Sequence, residues 1–289
     1  MMSDSPYFIE KRLIRNAFNR AAASYDEAAV LQREVLARLL EKFEYIKTSP
    51  LRILDLGAGT GNALSPLKKL FPKAEIIAFD LSTAMLEVSQ KKSGWLSRQL
   101  KQQPCVCGDM AALPFADQTF DLVFSNLCLQ WAEDFDQVFL EISRVMNDAA
   151  VLLFSSFGPD TLKELRQCWA GVDNHTHVNV FADIHDLGDS MLKAHLADPV
   201  MEAEMLTMTY KDVNVLMRDI KQIGANNMTA GRHRGLGGKK RLQAMRENYE
   251  QLRNQEGLLP ATWEVVYGHA WGVGGKQAGQ IEIDMTAFD

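Results

Sequence analysis

A short apolar segment followed by three glycines constrains this chain more than any other stretch. Residues 52–62 read RILDLGAGTGN. The apolar residues suit a buried parallel strand, and the glycines allow a sharp turn where a ligand can approach the backbone closely. A helix is predicted to follow through Leu70, with Thr60 or Asn62 as its N-cap. A strand, a glycine turn and a helix in this order predict a nucleotide-binding corner of an α/β sheet.

The glycine spacing and a preceding acid distinguish between the nucleotides that such a corner can hold. A dinucleotide site prefers G-x-G-x-x-G, with a pyrophosphate at the helix N-terminus. Here the spacing is G-x-G-x-G, and Asp55 stands on the strand just before the first glycine. A carboxylate in that place would repel a pyrophosphate. It would suit a ligand with a free ammonium group.

Two further acids follow the next two predicted strands. Asp80 ends a strand over residues 75–81 and can accept hydrogen bonds from both hydroxyls of a ribose, although NAD sites share this feature. Asp109 follows a third strand around residues 103–106, where its side chain could read an adenine edge. Three acids after three strands suit S-adenosylmethionine, which carries a sulfonium and an ammonium but no phosphate. The alternative is three solvated loop acids, and the ordered set of landmarks favours the cofactor.

Several segments carry a resemblance to a known family. Residues 51–157 resemble a class I methyltransferase core through ILDLGAGTGN, IIAFD, CGDMAALPF and FDLVFSNLCLQW. Outside the core, RNAFNRAAASYDEAAVLQREV, FGPDTLKEL, LMRDIKQIGANN and ATWEVVYGHAWG are similar to the malonyl-acyl-carrier-protein O-methyltransferases of biotin synthesis, over about residues 9–272. The resemblance implies a Rossmann-like, seven-stranded, mostly parallel sheet with an antiparallel edge.

The strand ends and the resemblance together define predicted site residues. Three positions are expected to shape the methyl-transfer pocket without acting as a general base, because a malonyl carboxylate is already ionised at neutral pH; they are Tyr25, Gln130 and Trp131. The predicted cofactor site comprises Tyr25, Gln32, Asp55, Gly57, Ala58, Gly59, Gly61, Asp80, Leu81, Met85, Asp109, Met110 and Asn126.

The chain is expected to form a single domain, because the segments after the core complete its sheet. Predicted elements are N-terminal helices over 8–23 and 27–45, strands over 120–126, 150–157, 200–210 and 262–271, and a helix over 133–146. Met201, Ala203 and Met205 are expected on the buried face of the sixth strand. The expected divisions are a helical lid (1–50), the cofactor core (51–157), helices with the sixth strand (158–210), a basic helical insertion (211–261), the last strand (262–271) and a tail (272–289).

Positive charge is concentrated in that insertion, where helices are predicted over 212–223 and 239–252. Residues 211–260 contain ten Lys and Arg against five Asp and Glu, within a chain of net charge −6. Such a run is often a solvated face. With the resemblance, the preferred interpretation is a landing surface for an acidic acyl carrier protein, or for malonyl-coenzyme A. Candidate contacts to the substrate carboxylate or the carrier are Arg144, Arg166, Arg232, Arg234, Lys239, Lys240 and Arg241.

Composition argues against other classes of function. The net negative charge does not indicate a nucleic-acid partner, and no apolar run approaches the roughly 20 residues that span a bilayer. The first ten residues show no secretory pattern, so a cytoplasmic protein is expected. Cys105 and Cys107 alternate on a predicted strand and are expected to pack as small apolar residues. With only His175 and His177 as further candidate ligands, no metal is expected.

The resemblance implies a carboxyl O-methyltransferase that uses S-adenosylmethionine and acts on malonyl groups carried by acyl carrier protein. Two alternatives stay open at this point. One is an arginine-hydroxylating assembly factor of the same superfamily, and the other is a non-catalytic, S-adenosylmethionine-binding module that contacts a carrier protein.

Overall fold

A computed structural model describes residues 10–96, 103–223 and 238–272. The strands within these ranges form one seven-stranded sheet in the order β3-β2-β1-β4-β5-β7-β6. Every neighbouring pair is parallel except those of β7, which runs antiparallel to both β5 and β6. This confirms the predicted sheet and its antiparallel edge. The strands are β1 (Arg52–Leu56), β2 (Glu75–Asp80), β3 (Cys105–Cys107), β4 (Phe120–Asn126), β5 (Met146–Phe157), β6 (Ala197–Tyr210) and β7 (Leu259–Trp271).

Helices cover both faces of the sheet, as a parallel sheet requires. Alternate residues of β1 separate into two apolar clusters: Ile53 packs with Leu36 and Leu67, whereas Leu54 packs with Phe139. The helices of the described ranges are α1 (Lys11–Ala21), α2 (Tyr25–Ala28), α3 (Val30–Glu41), α4 (Leu64–Leu70), α5 (Thr83–Leu96), α6 (Phe135–Val145), α7 (Lys163–Ala170), α8 (Ile184–Lys193), α9 (Val213–Gln222) and α10 (Gly238–Glu250).

The exposed face of β6 differs from the prediction. Met205 is 50% exposed and Ala203 is exposed, whereas Leu206 and Met208 of the opposite face pack on the core. The strand lies at the edge of the sheet, and α8 packs near its beginning. Met201 there contacts the apolar cluster that contains Leu54 and Phe139. The assignment of Ala203 and Met205 to a buried face was therefore wrong.

Several predicted boundaries move for identifiable reasons. The helix expected over 27–45 is broken at Ala29 and ends in a short 3-10 turn at Lys42–Glu44. The helix predicted over 133–146 starts two residues later, at Phe135, because Asp134 caps it by accepting a hydrogen bond from the Gln137 backbone N–H at 3.1 Å. Strand β5 begins before residue 150 because Met146 already pairs with Phe120.

The insertion between the last two strands contains the two predicted helices, α9 and α10. Asp212 starts α9 by accepting hydrogen bonds from the backbone N–H groups of Asn214 (2.7 Å) and Val215 (3.2 Å). Arg232 and Arg234 lie outside the described residues, as does most of the predicted tail. No helix within the described ranges is long and apolar enough to cross a membrane.

Candidate active site

A cavity of about 250 Å³ lies at the carboxyl ends of the central strands, where open parallel sheets bind ligands. Its walls come from the N-terminal helices, the glycine turn and the segment that follows β4. The predicted residues that the structure brings to it are Tyr25, Gln32, Gly57, Gly59, Asp80, Leu81, Met85, Asp109, Met110, Asn126, Gln130 and Trp131. Asp55, Ala58 and Gly61 do not line it.

The three glycines of the turn differ in what their missing side chains allow. All have positive φ: +79° at Gly57, +54° at Gly59 and +79° at Gly61. A Cβ on Gly57 would lie 2.3 Å from the side chain of Cys128, and one on Gly61 would lie 2.3 Å from the Ser89 hydroxyl. A Cβ on Gly59 would meet no atom within 4 Å. Gly57 and Gly61 therefore permit close packing, whereas Gly59 keeps open space for a ligand.

Asp80 is held rigidly at the end of β2. Its carboxylate accepts hydrogen bonds from the backbone N–H groups of Gly59 at 2.9 Å and of Ser82 at 2.7 Å. Burial raises the pKa of Asp80 to about 6, and these backbone hydrogen bonds oppose that rise. The carboxylate thus joins the glycine turn to the start of α5 and borders the cavity.

Asp55 lies behind the glycine turn and is only 2% exposed. Its Oδ2 atom has no hydrogen-bond partner among the described residues. Burial, and then the nearby charge of Asp80, raise the pKa of Asp55 to about 7. A cation bound in the adjacent cavity would stabilise the ionised forms of both acids.

Two glutamines leave buried acceptors at the cavity wall. The Oε1 atoms of Gln32 and Gln130 are buried and lack partners among the described residues. Gln130 Nε2 donates to the Leu127 carbonyl at 2.6 Å, which fixes the orientation of that amide. Buried polar atoms are rarely left unpaired, and an ammonium group offers three donors and no acceptor. The amino-acid end of S-adenosylmethionine therefore fits the residues present.

Asp109 makes contacts that the sequence did not predict. Its Oδ1 accepts from the Ala111 backbone N–H at 3.0 Å, and its Oδ2 accepts from Lys11 Nζ at 2.6 Å. Lys11 also lies 3.8 Å from Glu133. It is the only Lys, Arg or His that lines the cavity within the described ranges. Helix α1 is thereby attached to the loop after β3.

The segment between α1 and α3 is attached to the glycine turn through Asp26. This carboxylate accepts from the Thr60 hydroxyl at 2.6 Å and the Asn62 amide at 3.2 Å, and it pairs with Lys92 at 2.5 Å. Neither predicted residue caps α4, which follows Ala63 without a side-chain cap. Thr60 and Asn62 instead bind Asp26 of the N-terminal segment, so the predicted N-cap was wrong.

Tyr25 and Trp131 join the N-terminal helices to the cavity wall. Tyr25 packs against Met85, and its burial, with the charges of Asp80 and Asp26, raises the pKa of the phenol well above its usual value. The phenol therefore stays protonated at neutral pH. Trp131 packs on α1, with its ring edge-to-face against Phe18 at a centroid distance of 5.4 Å.

Arg144 lies away from the cavity and is paired locally. It does not line the cavity, and its charge is paired with Glu141 at 2.7 Å and with Asp117 at 2.8 Å. The guanidinium also donates to the carbonyls of Leu113 and Phe115. These contacts hold the loop before β4, so the structure does not bring Arg144 to the cavity.

The remaining described basic candidates lie away from this cavity. Arg166 donates to the carbonyls of Pro159 at 2.7 Å and Thr161 at 3.1 Å. Arg241 lies 3.4 Å from Asp173, while Lys239 and Lys240 are exposed on the first turn of α10.

The cysteines and histidines show no metal site in the part of the chain that the structure describes. Cys105 packs partly against the core, but Cys107 is exposed, so the expectation that both pack as apolar residues was wrong for Cys107. His177 stacks on Trp169 and contacts Asp173 at 2.8 Å.

The fold, the glycine turn and the acid-lined cavity define a class I methyltransferase. Residues 54–154 match a methyltransferase domain family. The YcgJ protein from Bacillus subtilis has a similar fold, with a TM-score of 0.58 at 16% identity over 83% of this chain and 98% of its own.

Two curated relatives define the family more narrowly. Both are called malonyl-acyl-carrier-protein O-methyltransferase. The protein from Gallionella capsiferriformans is 50% identical over 98% of this chain and 96% of its own length. The protein from Halorhodospira halophila is 46% identical over 96% of this chain and 95% of its own length. The chain belongs to this family of methyltransferases, and its cofactor is S-adenosylmethionine, as the sequence predicted.

Proposed function

We propose that this protein transfers a methyl group from S-adenosylmethionine to the free carboxylate of a malonyl thioester carried by acyl carrier protein. The observation that carries the proposal is the 50% identity over 98% of the chain to a relative of that name. In biotin synthesis, the methyl ester would mask a charge that chain-elongating enzymes do not tolerate beside a growing acyl chain.

The residues around the cavity suit a reaction that depends on positioning. S-adenosylmethionine, when bound, supplies an electrophilic methyl group. Asp80 would hold the ribose and Asp109 the adenine end, while the free acceptors of Gln32 and Gln130 would hold the ammonium end. A carboxylate nucleophile needs no proton removed at neutral pH. The chain's task is therefore to align the two reactants and to exclude water.

Closure of the cavity depends on the N-terminal helices. Contacts of Lys11 with Asp109 and of Asp26 with Thr60 attach the lid to the cofactor loops at two separate points. The protonated Tyr25 phenol is a hydrogen-bond donor at the cavity wall. We assign Tyr25, Gln130 and Trp131 to the positioning of the reacting groups.

The carrier protein would dock on the basic start of α10. Lys239 and Lys240 are exposed there, and Arg241 follows them. An acidic carrier would be steered to this end by charge. The same surface could receive malonyl-coenzyme A, whose phosphates are also anionic.

Incubation with S-adenosylmethionine and malonyl-acyl carrier protein tests the proposal. We expect equal amounts of S-adenosylhomocysteine and a carrier-bound methyl ester, detected by intact-protein mass spectrometry. Binding of both partners without product would instead support a non-catalytic module. Hydroxylation of an arginine in an added protein, without a methyl ester, would support the assembly-factor alternative.

A further inference from the structure

Two further cavities lie between the methyl-transfer cavity and another part of the surface. The first, which we call the neck, has a volume of about 40 Å³ and shares Trp131 and Phe157 with the methyl-transfer cavity. The second, which we call the bowl, is open, has a volume of about 410 Å³ and shares His177 and Val178 with the neck. The shared wall residues show that the neck adjoins the methyl-transfer cavity on one side and the bowl on the other.

The neck is lined mainly by buried apolar side chains. Leu162, Leu165, Val178, Phe181 and Trp263 are all buried in the core of the protein. Such walls accept a chain of methylene and amide groups but oppose the passage of an unpaired charge. Since the neck encloses only about 40 Å³, its side chains must separate when a chain enters.

One unpaired donor belongs to the wall of the neck. The indole N–H of Trp263 is buried and has no hydrogen-bond partner among the described residues, although the side chain is only 3% exposed. Leaving a buried donor unsatisfied costs roughly 1–3 kcal/mol. An amide carbonyl in the neck would satisfy it.

The bowl carries positive charge at its wall. Arg166 lines it and has no carboxylate within 4 Å among the described residues, because its hydrogen bonds go to the carbonyls of Pro159 and Thr161. Burial lowers the pKa of Arg166, and the nearby charge of Asp160 opposes that change. An arginine stays charged in either case, so its fork can bind an anion such as a phosphate.

The basic start of α10 lies beside this bowl. Arg241 contacts Asp173, which lines the bowl, at 3.4 Å. Lys239 and Lys240 precede it on the same helical turn and are exposed. An acidic protein docked on this turn would therefore hold a flexible arm close to the bowl.

We propose that the phosphate-bearing thioester arm of the carrier protein reaches the methyl-transfer cavity through the bowl and the neck. Arg166 binds the phosphate, the Trp263 indole donates to an amide carbonyl of the arm, and the malonyl end passes Phe157 and Trp131. This inference rests on the proposed function and adds to it the route of the substrate.

Arg166→Gln tests the phosphate contact when two substrates are compared. We expect KM for malonyl-acyl carrier protein to rise about tenfold, the loss expected for a hydrogen bond to a charged group. KM for malonyl-N-acetylcysteamine, which has no phosphate, should change less than about twofold. The matched control is Arg253→Gln, because Arg253 also donates to main-chain carbonyls but lies beyond the other end of α10.

Trp263→Phe supplies an independent test that keeps the ring and removes the N–H. We expect KM for malonyl-acyl carrier protein to rise about threefold to tenfold, with the affinity for S-adenosylmethionine unchanged in calorimetry. An equal loss with both substrates in Arg166→Gln, together with no change in Trp263→Phe, would overturn the route. If the wild-type protein methylates neither malonyl thioester, it is the proposed function that fails.

Discussion

The two ends of the proposed active site are built in different ways. At the cofactor end, Gly59, Asp80 and Asp109 lie at or just after the carboxyl ends of β1, β2 and β3, so the strands themselves set the positions of these groups. At the substrate end, the walls come from segments far apart in the chain, including α1, the turn after β4, α7 and β7. Cofactor binding can thus be predicted from local patterns, whereas the substrate route requires the folded structure.

The two ends also differ in charge. Asp80, Asp109 and Glu133 line the cofactor cavity, where Lys11 is the only basic side chain among the described residues. At the other end, Arg166 and Asp173 line the bowl, and the start of α10 beside it carries Lys239, Lys240 and Arg241. This separation matches a cationic cofactor on one side and an anionic carrier on the other. It also implies that each end can be altered without the other.

The largest effect is expected within the glycine turn. Gly57→Ala should lower the free energy of unfolding by about 2–5 kcal/mol, because the new Cβ overlaps Cys128 and the residue keeps a positive φ. Gly59→Ala is the matched control. Its Cβ overlaps no atom, so it should lower the free energy of unfolding only by the cost of a positive φ, about 1–2 kcal/mol. Urea denaturation measures both, and equal losses would contradict the distinct roles of the two glycines.

The larger Gly59→Val change should act on the ligand and not on the core. A Cβ at position 59 meets no atom within 4 Å, so the valine side chain would extend into open space. We expect a folded protein with little or no binding of S-adenosylmethionine in calorimetry. A folded variant with normal affinity would show that the turn does not face the cofactor.

Removal of the Asp80 carboxylate should weaken the cofactor end next. Asp80→Ala should cost about 1.5–3 kcal/mol of S-adenosylmethionine binding, as expected for hydrogen bonds to a charged group. Asp80→Asn should retain part of that energy. Titration calorimetry on the two variants decides this, and unchanged affinity in Asp80→Ala would remove the residue from the site.

Cofactor binding should depend on pH because a cation binds the ionised forms of two acids. The pKa values of Asp80 and Asp55 are raised to about 6 and about 7. Affinity should therefore increase several-fold from pH 5 to pH 8, with proton release on binding. Asp55→Asn should remove the part of the increase in affinity that occurs around pH 7. A flat profile with no proton release would contradict the assignment of both acids.

The raised pKa values of Asp55 and Asp80 also predict how the free energy of unfolding changes with pH. The carboxyls of Asp55 and Asp80 have raised pKa values in the folded protein. They therefore keep their protons in the folded protein at pH values where the unfolded chain, with an ordinary pKa of 3.8, has lost them. The free energy of unfolding, measured without cofactor, should therefore fall as pH rises from about 4 to 7. Asp55→Asn should make that decrease smaller. Urea denaturation across this range provides the measurement.

The smallest effect is expected at the carrier surface. Lys239→Glu combined with Lys240→Glu should lower kcat/KM for malonyl-acyl carrier protein about fivefold at low salt, since exposed charges contribute little each. The affinity for S-adenosylmethionine should not change. Lys69→Glu with Lys73→Glu reverses two exposed charges elsewhere and is the control. Equal effects of the two pairs, or no salt dependence, would indicate a merely solvated face.

The sequence predicted the sheet and most of the cofactor wall because glycine spacing and strand-end acids are local signals. It missed the contacts of the N-terminal helices because these join residues that are far apart: Lys11 and Asp109 are separated by 98 positions, and Asp26 and Thr60 by 34. Asp26 lies within the quoted N-terminal segment, but nothing local identifies its partners.

Two cases show where local patterns are ambiguous. Along β6, apolar residues alternate on both faces, so a period of two does not show whether Met205 or Leu206 faces the core. Arg144 looked available as a cation, yet Glu141 stands three residues before it on the same helix. That i, i+3 spacing was a signal that the charge is paired locally.

The central claim is that a carboxylate on a carrier-bound malonyl group receives the methyl group. Intact-mass measurement with S-adenosylmethionine labelled in its methyl group tests it on two carrier proteins, one charged with malonyl and one with acetyl. We expect malonyl-acyl carrier protein to gain one labelled methyl group that mild alkaline hydrolysis removes, while acetyl-acyl carrier protein, which has no free carboxylate, stays unlabelled. Labelling of both carriers, or of neither while the cofactor binds normally, would contradict the account.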